Sequence, residues 1–475
     1  MLFNSFQFVF FFIAITLLYF ILPHKYRWFL LLAGSCYFYM AFVPIYILIL
    51  GFTIVIDYFA GIFLEDASGK RKKWFLVASL FANIGVLAVF KYYNFLNENL
   101  TILLSGLGKS NPIPYLSILL PIGLSFHTFQ AMSYTIEVYR GHQKAERNFG
   151  IYALYVMFYP QLVAGPIERP QNLLHQFYEK HSFEIDRVVS GLKIILWGFF
   201  KKLVIADRLA LYVNAAYNNA DHHSGQTLIL ATIFFAFQIY CDFSGYSDIA
   251  IGCARIMGFK LMTNFNRPYL SSNISEFWTR WHISLSTWFK DYLYISLGGN
   301  RVSIPRWYFN LFFVFLVSGL WHGANWTFLI WGGLNGCYLI LALIRQRFWK
   351  KMGWGTISLP PFLGKVISLS TTFILICFSW IFFRANSLHD SFLIVRKIFT
   401  FKGPIFNNNT PSLFFSFIGI FILIAAELKQ EYWKGSISFF NNPSPVVRYI
   451  SYVTIILIIL LIGVFDGGQF IYFQF

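Results

Sequence analysis

Charged residues are scarce in this sequence: Asp, Glu, Lys and Arg make up 12% of its 475 residues, whereas hydrophobic residues make up 57%. Soluble domains are about 25% charged and about 45–50% apolar, so the composition argues against a soluble protein. A soluble chain of this length would suggest about three domains. Apolar runs instead recur from end to end, and they indicate one polytopic membrane bundle.

Acidic residues are the rarer of the two charged classes. The sequence has 20 Asp and Glu against 37 Lys and Arg, a formal net charge of +17. Nucleic-acid-binding proteins can show a similar excess, but they carry their cations on one soluble face. Here the cations cluster in short loops between apolar runs, as the positive-inside rule predicts. We therefore exclude nucleic acid as a partner.

Cysteine is also scarce, and its placement excludes two kinds of site. Cys36, Cys241, Cys253, Cys337 and Cys377 are scattered and form neither a CxxC pair nor a metal-ligand spacing. We predict no disulfide framework, no zinc site and no metal cofactor. The chain likewise has no GxSxG motif, no P-loop, no internal repeat and no soluble catalytic domain.

The apolar runs predict an all-α polytopic membrane protein with about eleven to thirteen transmembrane helices, together with interfacial and re-entrant helices. The first run lacks a basic region and a cleavage site, so we expect a retained helix rather than a signal peptide. The predicted crossings lie at residues 6–22, 28–40, 43–64, 74–90, 113–138, 188–205, 228–251, 308–320, 326–344, 366–383, 413–426 and 449–464.

One further apolar run, residues 151–170, is broken by Pro160, Gly165 and Pro166. A broken segment is tolerated at membrane depth only where protein covers it or where it lines a wet cavity. We treat residues 1–475 as a single integral-membrane domain. Its predicted parts are N-terminal helices over 1–140, a catalytic core over 141–345 and C-terminal helices over 346–475.

The longest basic interval lies between residues 255 and 306, and its aromatic residues recur close to helical spacing. This pattern predicts a helix lying at or dipping through the cytoplasmic interface. The cations fit a simple anchor that obeys the positive-inside rule. They also fit a surface for a polyanionic acyl donor, either the phosphates of coenzyme A or an acidic carrier protein.

His322 lies among long apolar runs, and an ionisable group at membrane depth is a functional-site hypothesis. A neutral imidazole can remove a hydroxyl proton near neutral pH, and burial in apolar surroundings keeps it neutral. A histidine that hydrogen-bonds across helices is the structural alternative. Asn325, three residues on, would share a helix face with His322 and could bind the substrate or a developing oxyanion.

Seven segments carry a family resemblance that covers nearly the whole chain. They are LPIGLSFHTFQAMSYTIEVYRG (120–141), QLVAGPIERP (161–170), WGFFKKLVIADRLA (197–210), FQIYCDFSGYSDIAIGCARIMGF (237–259), NFNRPYLSSNISEFWTRWHISLSTWFKDYLYISLGGNR (264–301), GLWHGANWTFLIWG (319–332) and FSWIFFRA (378–385). Together they resemble the membrane-bound O-acyltransferases, specifically the bacterial branch of the alginate O-acetyltransferase membrane subunit.

The resemblance implies a ring of helices around a central tunnel that narrows at a catalytic histidine. By residue-to-residue match, that histidine is His322 in WHGANW, and the second histidine is His282 in RWHIS. His282 would orient the donor, line the tunnel mouth or satisfy a backbone carbonyl. The substrate-binding residues that we predict are Asn325, Trp321, Trp281, Arg280, Asp242 and Ser244.

The resemblance further implies transfer of acetyl from cytoplasmic acetyl-CoA for O-acetylation of an exported or cell-wall polysaccharide. It implies membrane lipid as surroundings, the bacterial inner membrane as location, and an extracytoplasmic SGNH-hydrolase-like acetyltransferase as partner. Two alternatives stay open: a D-alanyl transferase to teichoic acid that uses a carrier-protein thioester, and a non-enzymatic transporter or flippase.

Overall fold

A computed structural model of the chain describes residues 1–117, 121–163, 165–353, 360–407, 409–433, 439–465 and 470–471. Within these ranges every regular element is a helix and there is no strand, which confirms the predicted all-α class. Residues 118–120 of the predicted crossing 113–138 lie outside the described residues. So does residue 164 of the broken run.

The chain forms two compact units, Met1–Ile195 with Tyr246–Met262, and Leu196–Gly245 with Thr263–Phe475. The single domain and its three predicted parts stay a prediction. The helices up to residue 199 are α1 Phe6–Ile21, α2 His24–Met40, α3 Ile47–Asp66, α4 Gly69–Leu87, α5 Tyr93–Gly106, α6 Leu124–Arg140, α7 Phe149–Met157, α8 Tyr159–Leu162, α9 Pro170–Leu173 and α10 Ile185–Phe199.

The remaining helices are α11 Asp207–Tyr217, α12 Gly225–Met257, α13 Ile274–Arg280, α14 Ile283–Trp288, α15 Ile304–His322, α16 Trp326–Met352, α17 Pro361–Arg384, α18 Leu388–Thr400, α19 Thr410–Tyr432 and α20 Pro445–Ile462. Both α10 and α12 contribute residues to each of the two units. Two π-helical segments of the second unit, Phe200–Ala206 and Phe289–Tyr294, extend α10 and α14.

Eight helical stretches of the described residues are long and apolar enough to cross a membrane, against the eleven to thirteen crossings predicted. The difference arises because α1, α2, α6 and α10 have 15 to 17 residues each, and the run after residue 149 is split into α7 and α8. A π-helical segment also joins α4 to α5, so Gly69–Gly106 is one continuous helical stretch.

The predicted interfacial helix is wrong as a single element. The structure has two short helices there, α13 and α14, which separate at Trp281 and His282. His282 has φ of 43°, a left-handed conformation that side chains other than glycine seldom adopt. This turn lets the Ile283 N–H donate to the Asn264 carbonyl at 2.8 Å. Aromatic spacing alone could not reveal the break.

A buried carboxylate ties three helices of the first unit together. Asp57 of α3 is fully buried, and the Asn83 amide of α4 donates to both of its oxygens at 2.9 Å. The Ser79 hydroxyl donates to Asp57 at 2.6 Å and lies 3.1 Å from the Thr135 hydroxyl of α6. These donors offset the large cost of burying a carboxylate among apolar helices.

Asn83→Leu should therefore destabilise the protein, because it leaves Asp57 with fewer donors and replaces the amide with an apolar side chain of the same branched shape. We expect a loss of about 1–3 kcal/mol, seen as a lower unfolding temperature in detergent. The double variant Asp57→Leu/Asn83→Leu removes donor and acceptor together and should be the more stable of the two. A double variant less stable than Asn83→Leu would contradict this account of the cluster.

Candidate active site

Helices α15 and α16 form a tightly packed hairpin with His322 at its turn. A Cβ added to Gly319 would lie 2.3 Å from the Phe328 carbonyl oxygen, and one added to Gly332 would lie 2.3 Å from the Phe315 carbonyl oxygen. Backbones can approach this closely in a membrane helix pair only where the side chain is absent. The two glycines thereby fix where α15 ends, and so where the His322 side chain lies.

Three aromatic rings enclose the His322 imidazole. The ring centroids of Trp321, Trp331 and Phe383 lie 4.9, 5.0 and 5.2 Å from that of His322, all at steep interplanar angles. The side chain is almost fully buried, with 5% of its surface exposed. The steep angles indicate edge-to-face contacts, so His322 lies in an aromatic pocket.

Asn325 does not share a helix face with His322, contrary to our prediction. Helix α15 ends at His322, Gly323 is extended, and α16 begins at Trp326. Asn325 is the N-cap of α16, and its side-chain oxygen accepts from the Thr327 N–H at 2.9 Å. Asn and Asp are preferred at this position because they satisfy a helix-end donor. The three-residue spacing between His322 and Asn325 therefore did not predict a shared face, because α15 ends before Asn325.

His282 is held by one amide side chain of the same unit. The Asn264 side-chain oxygen accepts from the backbone N–H and hydroxyl of Ser284, at 3.2 and 2.8 Å, and lies 3.1 Å from His282 Nδ1. Because that atom already acts as an acceptor, Nδ1 of His282 is the donor in this pair. The neutral tautomer therefore carries its basic lone pair on Nε2. Burial lowers the pKa of His282 to about 3.

The Trp321 ring contacts both histidines. Its ring is steeply inclined to both, with centroid distances of 4.9 Å to His322 and 6.3 Å to His282. Trp281, the neighbour of His282, is buried and stacks on Phe277 at 5.4 Å. The structure thus brings three of the predicted residues, His322, Trp321 and His282, into one aromatic cluster of the second unit.

Arg280 has protein partners for its charge. Its guanidinium pairs with Glu276 at 2.7 Å and with Glu431 of α19 at 2.9 Å. Arg267 shares the Glu431 carboxylate at 2.8 Å. These pairs join α13 and the loop before it to α19, which braces the segment that carries His282. Substrate binding by Arg280 stays a prediction, and the carboxylates compete with any anionic ligand.

Asp242 and Ser244 also have protein partners. Lys202 donates to Asp242 at 2.6 Å and pairs with Asp207 at 2.8 Å, while Lys201 donates to the Ser244 hydroxyl at 2.9 Å. The backbone N–H of Ile471 donates to the second Asp242 oxygen at 2.7 Å. Buried charges need such pairing. A binding role for Asp242 and Ser244 stays a prediction, because these contacts describe a structural network.

Sequence reasoning missed three residues that shape this cluster: Asn264, Trp331 and Phe383. Each lies inside a segment that carried the family resemblance, but none of the three was singled out there. Asn264 could have been noticed as an amide next to Arg267 in NFNRP. Trp331 and Phe383 gave no such signal, since aromatic residues make up 21% of the chain.

Comparison with known proteins identifies the family of this chain. The model of the membrane-bound O-acyltransferase family matches residues 140–383, which include both histidines, Asn264 and Phe383. The chain belongs to this family. It is therefore an O-acyltransferase and a multi-pass membrane protein, and this result replaces the transporter alternative.

Similar proteins include the probable alginate O-acetylase AlgI of Pseudomonas aeruginosa, 39% identical over 84% of this chain and 75% of its own. The peptidoglycan O-acetyltransferase of Helicobacter pylori is 35% identical over 85% of this chain and 80% of its own. The teichoic acid D-alanyltransferase of Bacillus subtilis is 26% identical over 56% of this chain and 69% of its own.

Gly332→Ala should force α15 and α16 apart, because the new methyl group would meet the Phe315 carbonyl. Overpacking of this kind costs about 1–3 kcal/mol, and we expect both a lower unfolding temperature and weaker acyltransferase activity. Gly333→Ala is the matched control, since its Cβ would have no neighbour closer than 3.8 Å. Equal effects of the two substitutions would contradict the packing role of Gly332.

Acid should destabilise the protein in part through His282. The pKa of the folded state is about 3, below the ordinary value of about 6.5 in the unfolded chain. Between these values only the unfolded state binds the proton, so stability is complete above pH 6.5 and falls as the pH drops. Unfolding temperatures measured from pH 7 to pH 4 should fall less steeply in His282→Gln. An unchanged slope in that variant would contradict this expectation.

Proposed function

We propose that this protein is an acetyltransferase that takes acetyl from cytoplasmic acetyl-CoA for O-acetylation of an exported or cell-wall polysaccharide, with His322 as general base. The observation that carries the proposal is the position of His322 at the turn of the α15–α16 hairpin, enclosed by Trp321, Trp331 and Phe383. The names of the alginate and peptidoglycan relatives support a polysaccharide acceptor.

The reaction needs one proton to move twice. The acceptor hydroxyl gives its proton to His322 as its oxygen attacks the thioester carbonyl carbon. The carbon–sulfur bond then breaks, and the departing thiolate takes the proton from the imidazolium. The products are an oxygen ester and a thiol, and His322 is neutral again.

The surroundings of His322 favour the protonated form that this cycle requires. His322 is the last residue of α15, and the C-terminus of a helix carries partial negative charge. A histidine cation there gains about 0.3–1 kcal/mol, and up to about 2 kcal/mol in a partly buried site. The aromatic faces add to this attraction. Both effects stabilise the imidazolium that forms while the hydroxyl oxygen attacks.

The other residues have supporting roles in this proposal. His282, with Nε2 as its basic atom, would orient the donor. Asn325 uses its side-chain oxygen as the cap of α16, so its amide nitrogen is the group that would face a substrate or a developing oxyanion. Trp321, which lies against both histidines, would fix their relative positions.

We infer the location and the partner of the protein from the same family resemblance. The protein would lie in the bacterial inner membrane, with a tunnel that connects the cytoplasmic donor to the outer side. An extracytoplasmic SGNH-hydrolase-like acetyltransferase would receive the acetyl group and place it on the polymer. A D-alanyl transfer to teichoic acid from a carrier protein is the second candidate. It is supported by a weaker likeness that covers 56% of the chain.

The test is transfer of labelled acetyl from acetyl-CoA in membranes of a host that lacks this activity. The native protein should transfer or slowly hydrolyse the acetyl group. His322→Ala should lower the rate by a factor of about 10²–10⁴, which is the usual contribution of a general base. His223→Ala is the control, because His223 contacts Phe406 away from the hairpin. Equal expression and equal unfolding temperatures would show that both variants fold.

Equal rates in the native protein and His322→Ala would overturn the proposed mechanism. If neither protein consumes acetyl-CoA with the extracytoplasmic partner present, the assay should be repeated with a D-alanyl carrier-protein thioester. Histidine-dependent turnover of that donor would then support the second candidate.

A further inference from the structure

A large groove lies within the second unit, between the short helices α13 and α14 on one side and α15, α16 and α17 on the other. Its volume is about 1540 Å³, beyond the roughly 300–1,000 Å³ of most small-molecule pockets. The wall formed by the three long helices is mostly apolar. It includes Leu311, Val314 and Phe315 of α15, Leu343 of α16 and Ile367 of α17.

The groove is separate from the histidine cluster. Neither His282 nor His322 lines it, and its closest approach along α15 is Ser318, one turn before His322. The Trp278 indole on the groove wall lies 5.7 Å from that of Trp331, which in turn contacts His322. Two indole rings therefore stand between the groove and His322. We conclude that the molecule in the groove is not the one that reacts at His322.

One end of the groove is cationic. Lys290 of the π-helical segment and Arg345 and Lys350 near the end of α16 line it, and its described lining contains no Asp or Glu. Lys290 has an exposed neighbour, Asp291, at 3.6 Å, a surface pair that contributes little. In the part of the chain that the structure describes, no carboxylate pairs with Arg345 or Lys350. This end therefore offers three cations to an anionic group.

The cationic end and the apolar wall match the dimensions of one membrane leaflet. Trp307 and Trp349 line the groove at its cationic end, and tryptophan is enriched at membrane interfaces. From Trp307 to Ser318 the wall of α15 runs about 16 Å, at about 1.5 Å per residue. Half of a hydrocarbon core of about 30 Å is nearly the same length. By the positive-inside rule, this is the cytoplasmic leaflet.

We propose that the groove binds an anionic phospholipid of the cytoplasmic leaflet. Its phosphate group lies on Lys290, Arg345 and Lys350, and its acyl chains extend along the apolar wall of α15, α16 and α17. Basic pockets between membrane helices on this side are a known way to hold anionic headgroups. The bound lipid also packs on Trp278 and Ile283, which flank His282, and so supports the segment that holds this histidine.

A coenzyme A thioester is the other phosphate-bearing molecule to weigh, and the groove fits it less well. Its amide groups need hydrogen-bond partners, and burying them without partners is costly. Hydroxyls do line the short-helix wall, but those of Thr279, Ser286 and Thr287 donate to backbone carbonyls three to five residues earlier in the chain, at 2.7, 3.1 and 2.7 Å. The facing wall is mostly hydrocarbon, with Ser318, Gln346 and Ser368 as its uncharged polar residues, and this suits acyl chains.

The experiment is native mass spectrometry of the full chain in neutral detergent, with phosphatidylglycerol and phosphatidylcholine of equal chain length. The native protein should retain phosphatidylglycerol preferentially. Lys290→Gln/Arg345→Gln/Lys350→Gln should lose roughly tenfold or more of that retention, since each cation near an anionic headgroup counts for about 1 kcal/mol. Arg301→Gln/Arg306→Gln/Lys351→Gln removes the same charge from positions that do not line the groove and should bind as the native protein does.

Lys290→Arg/Arg345→Lys/Lys350→Arg keeps the charge and should keep the preference. Helix content and unfolding temperature identify any variant that fails to fold, and the single variant Arg345→Gln then takes its place. Equal retention in the native protein and the groove variant would overturn the proposal. So would displacement of phosphatidylglycerol from the native protein by coenzyme A, because the groove would then belong to the acyl donor.

Discussion

Pairing of buried polar groups is the constraint on which this structure depends. In a chain that is 57% hydrophobic, each ionisable side chain away from water needs a partner or must stay neutral. Asp57 meets the requirement with amide and hydroxyl donors, Asp242 with Lys202 and a backbone N–H, and His282 with Asn264. The helices are held in place by these few polar contacts, because lipid offers no hydrophobic force between them.

The fold class was predictable from the sequence for a physical reason. A membrane helix must satisfy its own backbone and present an apolar surface, so composition and apolar runs are enough to identify it. An isolated histidine such as His322 stands out against that background. The structure then placed His322, Trp321 and His282 in one aromatic cluster. The two histidines are close in space although 40 positions separate them along the chain.

The backbone details were not predictable, because they depend on contacts distant in sequence. Nothing near His282 requires a left-handed residue; the conformation follows from the pairing of Ile283 with Asn264. The end of α15 at His322 follows from the cap at Asn325 and from close packing at Gly319 and Gly332. Glu431 pairs with Arg280, and Ile471 donates to Asp242. Both lie on segments that no local pattern connects to these residues.

The contact between Asp242 and Ile471 has a consequence for biogenesis. The two residues are 229 positions apart, and Glu427, which bonds Tyr240, lies almost as far along the chain. Helices enter a membrane one after another during synthesis. Lys202 and Asp242 can pair with each other once α12 is inserted, but the second Asp242 oxygen gains the Ile471 N–H only when the end of the chain has been made. The polar network of the second unit is therefore complete only after residue 471 has been synthesised, and until then one oxygen of the buried Asp242 lacks that donor.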